Sequence, residues 1–185
     1  MPFDFVEREI SGVMLIKPKV FEDKRGFFME TYVQEDFKNA EITGNFIQDN
    51  HSKSKYGVLR GLHFQRTPYS QAKIVRCING IIYDVAVDLR RDAPTFGEYE
   101  TAILSEFNKY QLYIPRGFAH GFLTLSEEAD VAYKVDNKYA PDHEGGLLWK
   151  DPHLDIPWPI EDPIVSEKDK TWPTWNKLVN DQELF

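Results

Sequence analysis

One cysteine stands in 185 residues. Cys77 has no partner for an internal disulfide, so crosslinking does not hold this fold and nothing points to an oxidising compartment. Its setting, I-V-R-C-I, suits a buried small hydrophobe better than a reactive thiol. Long apolar runs are missing too. None approaches the roughly 20 residues of a bilayer-spanning helix, and the N-terminal M-P-F-D-F-V-E-R-E-I has no basic stretch followed by an apolar one. A soluble cytoplasmic protein is expected, without a membrane partner. Positive charge is scarce: 22 Lys and Arg against 30 Asp and Glu, a formal net charge of -8. That excludes general nucleic-acid binding, which needs a basic face. A local convergence of a few Arg and Lys still allows a small anionic substrate. No G-x-G-x-x-G fingerprint signals a nicotinamide cofactor. Repeats, low-complexity segments and linkers are lacking.

What remains is a chain with 42% apolar and 14% aromatic residues, the composition of a packed globule. The length suits a single domain, residues 1–185. Short strand-like runs dominate: 12–20, 26–32, 46–50, 58–65, 73–78, 80–89, 99–104, 111–114, 118–125 and 129–137. Turn formers punctuate them, and Asn79-Gly80 between two apolar runs predicts a hairpin whose central residues both take positive φ. Helix is expected at 34–40 and, near the end, at 172–180. Many short strands at this spacing predict a mainly β sandwich or jelly roll. The division expected is N-terminal strands over 1–50, a jelly-roll core over 51–140 and a wrap over 141–185. The wrap is rich in proline and in Trp149, Trp158, Trp172 and Trp175, whose apolar area lets an irregular segment dock.

Two motifs carry the chemistry. V-L-R-G-L-H-F-Q (58–65) sets His63 in a strand-like apolar run. P-R-G-F-A-H (115–120) resembles half of a cupin metal signature. The other half, H-x-H-x(3,4)-E, is absent, because His63 is followed by Phe64 and Gln65. Two separated histidines fall short of the three protein ligands of an open catalytic site, so no metal is expected. Strand parity groups Leu59, Gly61, His63 and Gln65 on one face. It groups Lys73 with Val75 and Cys77, and Tyr133 with Val131 and Val135. An imidazole, an ammonium and a phenol would thus meet in an otherwise dry pocket. Parity sends Arg60 away from His63, unless a bulge at Gly61 turns the strand or Arg60 reaches across an edge or subunit boundary.

Eight segments in order across nearly the whole chain resemble the dTDP-4-dehydrorhamnose 3,5-epimerases. They are K-P-K-V-F-E-D-K-R-G-F-F-M-E (17–30), F-I-Q-D-N-H-S-K-S (46–54), V-L-R-G-L-H-F-Q (58–65), K-I-V-R-C (73–77), D-V-A-V-D-L-R (84–90), I-P-R-G-F-A-H-G-F (114–122), Y-K-V-D-N-K-Y (133–139) and S-E-K-D (166–169). The resemblance implies a cupin-type jelly-roll barrel working without metal or other cofactor. It also implies a homodimer that exchanges N-terminal strands.

The reaction implied is inversion of C3 and C5 of dTDP-4-dehydro-6-deoxy-D-glucose to give dTDP-4-dehydro-L-rhamnose. Both carbons flank the C4 ketone, so a base, an enolate-stabilising donor and an opposing acid are needed. By resemblance His63 is the base, Asp169 the carboxylate paired with it (Asp84 being the second choice), Tyr133 the acid and Lys73 the cation at the keto oxygen. Arg25, Arg60 and Lys168 match positions around the diphosphate. Glu30, Gln48, Asp49, Asn50, His120 and Glu144 match further substrate-binding positions, and Tyr139 the aromatic that stacks on thymine. Arg25 and Glu30 are expected to serve a partner's site. A single-centre epimerase of a related keto-sugar, a non-catalytic sugar-binding jelly roll and a metal-dependent cupin are the other readings.

Overall fold

Alternating apolar residues along short runs become fourteen strands in the computed structural model, which describes residues 2–180 and 184. They are β1 (Phe3–Glu7), β2 (Met14–Pro18), β3 (Phe21–Asp23), β4 (Gly26–Phe28), β5 (Gln48–Lys55), β6 (Val58–Gln65), β7 (Lys73–Asn79), β8 (Ile81–Asp88), β9 (Tyr99–Ser105), β10 (Gln111–Ile114), β11 (Phe118–Thr124), β12 (Glu128–Val135), β13 (Glu144–Gly146) and β14 (Ile164–Val165). Two short helices are described, α1 (Gln34–Asn39) and α2 (Trp175–Leu178).

Twelve of the strands form two six-membered groups, and β3 and β4 pair as a separate ribbon. One sheet runs β1-β2-β10-β7-β12-β5; the other runs β13-β6-β11-β8-β9, with β14 parallel to β6. Val75, Cys77, Ile82, Ala86, Leu112, Phe122 and Val131 pack between them as one core. The fold is a cupin-type jelly roll. The second sheet is covered on its outer face as well. There Leu62, Phe64, Val85 and Val87 meet Leu154, Ile156, Trp175 and Leu178 of the C-terminal segment. Burial on both faces explains why every residue of β11 is buried. Each large apolar side chain sealed in this way contributes about 1.5–3 kcal/mol. The last residues of the expected wrap, 181–183 and 185, lie outside the described residues.

Asn79-Gly80 does not make the predicted hairpin. β7 already pairs with β10 and β12, one on each side, so no ladder position is left for β8. Gly80 takes φ +82° while Asn79 does not join it at positive φ, so the two-residue hairpin turn cannot form. The turn is instead a corner that carries the chain from one sheet to the other.

Other differences are smaller. β1, unforeseen, is a five-residue run whose Phe3 and Phe5 close on Phe37 of α1 at ring distances of 5.2 Å. β5 runs on to Lys55 through an almost wholly polar sequence, because β12 supplies a continuous backbone ladder from Gln48 to Lys55. Its inward residues, Gln48, Asn50, Ser52 and Ser54, alternate with outward charged ones. β4 stops at Phe28, short of the expected Tyr32.

Candidate active site

β6 decides the site. His63 faces His120 of β11, and Arg60 faces Phe122, so two residues of β6 stand against Gly121 alone. This bulge reverses side-chain parity between Arg60 and His63, and both line one cavity of about 430 Å³. Glycine is required at the crossing. Gly61 has φ +132°, and a Cβ there would lie 2.6 Å from Gly121 Cα. The expectation that simple parity turns Arg60 away is corrected in favour of the bulge. Arg60 is then held by Ser54 Oγ, which accepts from Nε at 2.9 Å.

His63 Nε2 lies 2.5 Å from Asp169 Oδ1. Burial alone would raise the Asp169 pKa, but hydrogen bonds from His63 and Trp172 and the charge of His63 outweigh it and hold the carboxyl below its usual range. An ionised Asp169 can only accept, so Nε2 carries a proton, and in the neutral ring the lone pair is left on Nδ1. The loop is set from within, since Asp169 N–H donates to Ser166 Oγ at 3.1 Å. Trp172 Nε1 donates to Asp169 Oδ1 at 3.1 Å, and its ring stands edge-on to His63. Gly146 admits that ring, because a Cβ there would come within 2.2 Å of it. Asp84 is not the carboxylate on His63. It is fully buried and accepts from His120 Nε2 at 3.0 Å.

Lys73 and Tyr133 line the same cavity from the opposite sheet. Lys73 is half-buried, and its enclosure pushes the ammonium pKa down to about 8, with Asp84 and Glu144 opposing. Burial raises the Tyr133 pKa, so the phenol holds its proton at neutral pH. His120 is lowered by burial, against the pull of Asp84.

A cleft of about 310 Å³ adjoins the cavity and shares His63, Lys73 and Tyr133 with it. Gln48, Asn50, Tyr139 and Glu144 line it. Glu144 Oε2 accepts from Lys168 Nζ at 2.5 Å and from Tyr139 OH at 2.9 Å. Burial alone would raise the Glu144 pKa, but these bonds bring it below the ordinary value. The combined space falls within the range of ligand sites.

Three expected residues stand apart. Asp49 alternates away from Gln48 and Asn50, and pairs with Lys134 at 2.7 Å, its side chain 73% exposed. Arg25 and Glu30 are exposed and line neither cavity; Arg25 is tied to Asp23 beside it in the β3–β4 ribbon. Ser52, Ser166 and Trp172 were not picked out as site residues. The only sequence signal for them was their nearness to Asn50 and Asp169. Among the described residues no group of three His, Cys, Asp or Glu side chains converges to hold a metal. No described helix is long and apolar enough to cross a membrane.

Residues 7–177 match the family model described as dTDP-4-dehydrorhamnose 3,5-epimerase. The chain belongs to the dTDP-4-dehydrorhamnose 3,5-epimerase family. It is therefore an isomerase. A Shigella flexneri enzyme of that name is 52% identical over 165 residues, covering 89% of this chain and 91% of that one. The Bacillus anthracis enzyme, solved with TDP and PPi bound, superposes with a TM-score of 0.91 at 46% identity, covering 93% of this chain and 99% of that one. A Legionella pneumophila dTDP-6-deoxy-D-glucose-3,5-epimerase, solved with dTDP-4-keto-L-rhamnose, gives 0.93 at 41% identity over 98% of this chain and 97% of that one.

Proposed function

We propose that this protein inverts C3 and C5 of dTDP-4-dehydro-6-deoxy-D-glucose, yielding dTDP-4-dehydro-L-rhamnose for dTDP-L-rhamnose synthesis. The observation that carries the reading is the single cavity in which the His63–Asp169 pair, Lys73 and Tyr133 meet. The free nitrogen of His63 takes the proton from the carbon beside the ketone. The electron pair moves onto the C4 oxygen, where the Lys73 ammonium donates a hydrogen bond to the growing charge. Asp169 orients the ring and stabilises the imidazolium, as in other His–Asp pairs. Tyr133 delivers its phenolic proton to the opposite face of the same carbon, and solvent restores both groups. The sequence repeats at the second carbon. No hydride moves, and none of these steps calls on a cofactor.

Arg60 and Lys168 receive the diphosphate, Gln48, Asn50, His120 and Glu144 hold the rest of the substrate, and Tyr139, 54% exposed, offers a stacking face to thymine. A homodimer completes the site. β1 and β2 pair within their own chain, so the segment offered to a second copy is the β3–β4 ribbon, which pairs with no other strand and exposes Phe21, Phe27 and Phe28. Arg25 and Glu30 then act in the partner's cavity. The enzyme works in the cytoplasm, where a lone buried thiol stays reduced.

Product NMR with this substrate in deuterated water tests the reading. Deuterium at both C3 and C5 of the L-sugar is expected. A product unlabelled at either carbon overturns double inversion.

A further inference from the structure

Asp84 is a charge that the reaction scheme does not use. It sits on β8 with no exposure, and both its oxygens face His120 Nε2, at 3.0 and 3.1 Å. A charge sealed so deeply is costly unless something nearby needs it. His120, the residue it holds, lines the same cavity as Lys73 of the other sheet, so the Asp84 charge stands one side chain behind the wall that the ammonium shares. Among the described residues the Lys73 ammonium makes no hydrogen bond and no ion pair, although it stands inside the protein. The titratable and charged groups around it are Asp84 on β8, His120 on β11, His63 and Arg60 on β6, Tyr133 on β12 and Glu144 on β13, with Tyr139, Lys168 and the His63-bound Asp169 also lining the two cavities. Only Asp84 and Glu144 supply negative charge to it, and Glu144 is already engaged by Lys168 and Tyr139.

We propose that Asp84 is a positioning residue for Lys73: locked behind the cavity wall to His120, it supplies the counter-charge while leaving the ammonium's N–H groups to the keto oxygen of the substrate. A direct ion pair would consume those donors, and no counter-charge at all would favour the neutral amine, which binds an enolate poorly. The contact with His120 is what keeps the carboxylate off the lysine. This inference rests on the proposed epimerase reading, since it gives the free donors a keto oxygen to bind.

Competitive acetylation of lysines with acetic anhydride across a pH series, read by peptide mass spectrometry, reports the titration of Lys73 without substrate. In Asp84→Asn the Lys73 midpoint should fall by about one to three pH units, the usual effect of one nearby opposite charge. The alkaline limb of kcat/KM should move with it, while inhibition by dTDP changes less than about twofold, the expectation for a change confined to the sugar end of the site. Rescue distinguishes this from a structural role: Asp84→Glu keeps the charge and should return the Lys73 midpoint to its wild-type position. If Asp84→Asn does not fold, Asp84→Ser, with room for a water on His120, carries the same expectation. An unmoved Lys73 midpoint in either neutral variant overturns the proposal, as does a lowered midpoint in Asp84→Glu. Labelling needs no turnover, so failure here leaves the deuterium experiment intact, and failure of that experiment leaves the titration intact.

Discussion

His63 and His120 are direct partners across β6 and β11, yet each gives its Nε2 to a different carboxylate. The His63 side chain is 33% exposed and opens on the cavity, while that of His120 is 8% exposed. Two neighbouring His–Asp pairs thus hold different stations. One is open enough to exchange a proton with substrate and solvent. The other is enclosed, and its carboxylate is the counter-charge proposed for Lys73.

His63→Ala should abolish deuterium exchange at both C3 and C5, with kcat reduced at least ~10²–10⁴-fold, the contribution of a positioned general base. Asp169→Asn should lower kcat in the same direction with a smaller effect on KM, since it disturbs the ring and not the nucleotide. Exchange retained at wild-type rate in His63→Ala would mean that another group abstracts the proton.

Tyr133→Phe removes one hydroxyl and keeps the ring. Proton loss to His63 should continue, so the substrate should still exchange hydrogen for deuterium, while formation of the L-sugar falls by about two orders of magnitude. Wild-type product yield would sink its role as the acid.

Activity should fall on the alkaline side as Lys73 loses its charge. Burial brings its pKa down to about 8. The protonated form, which can donate to an enolate, is therefore complete well below pH 8 and is lost as pH rises through it. A kcat/KM profile should bend downward near that value. Lys73→Met, which keeps the length without the charge, should cost ~10²–10³-fold and erase this limb.

Gly61→Ala should damage fold and activity together. The left-handed backbone at φ +132° costs about 1–3 kcal/mol for a side-chain-bearing residue, and the new methyl meets Gly121 Cα at 2.6 Å. Urea unfolding should show the loss of stability. A kcat drop beyond the folded fraction should show that the bulge no longer aims Arg60 and His63 at one cavity.

Acid should weaken the fold partly through Asp88. Burial alone would raise its pKa, but hydrogen bonds from Arg90 and Thr95 hold it below the ordinary value. Its folded pKa lies under its unfolded one, so this stabilisation is present above about pH 4 and lost as pH falls through the folded value. Asp88→Asn should cost about 1.5–3 kcal/mol at pH 7 and flatten this part of the acid dependence of urea midpoints.

Much of the site was legible because strands project alternate residues to one side. Parity on β7 and β12 correctly joined Lys73 with Tyr133, and on β5 it separates Asp49 from Gln48 and Asn50. The S-E-K-D motif led to Asp169 only through resemblance, since a contact spanning 106 positions leaves no periodic trace. Asn79-Gly80 misled, because the same dipeptide serves a hairpin or a corner and the choice belongs to the strands that flank β7. The strand expected at 46–50 stops short of β5, which runs on to Lys55 with an inward face that lines a cavity and not a core.

Composition and alternation by themselves determined a β protein, and the spaced motifs, through the resemblance they carry, its family and the candidates His63, Lys73, Tyr133 and Asp169. Those properties are local or one-dimensional, and the chain carries them wherever it folds. Only the tertiary structure decided that Asp169 binds His63 while Asp84 binds His120, that Arg60 shares the cavity, and that Arg25 and Glu30 stand outside it. Those outcomes depend on one bulge at Gly61 and on which strands find one another. Such pairings are set by the packing of the whole barrel and not by any single segment.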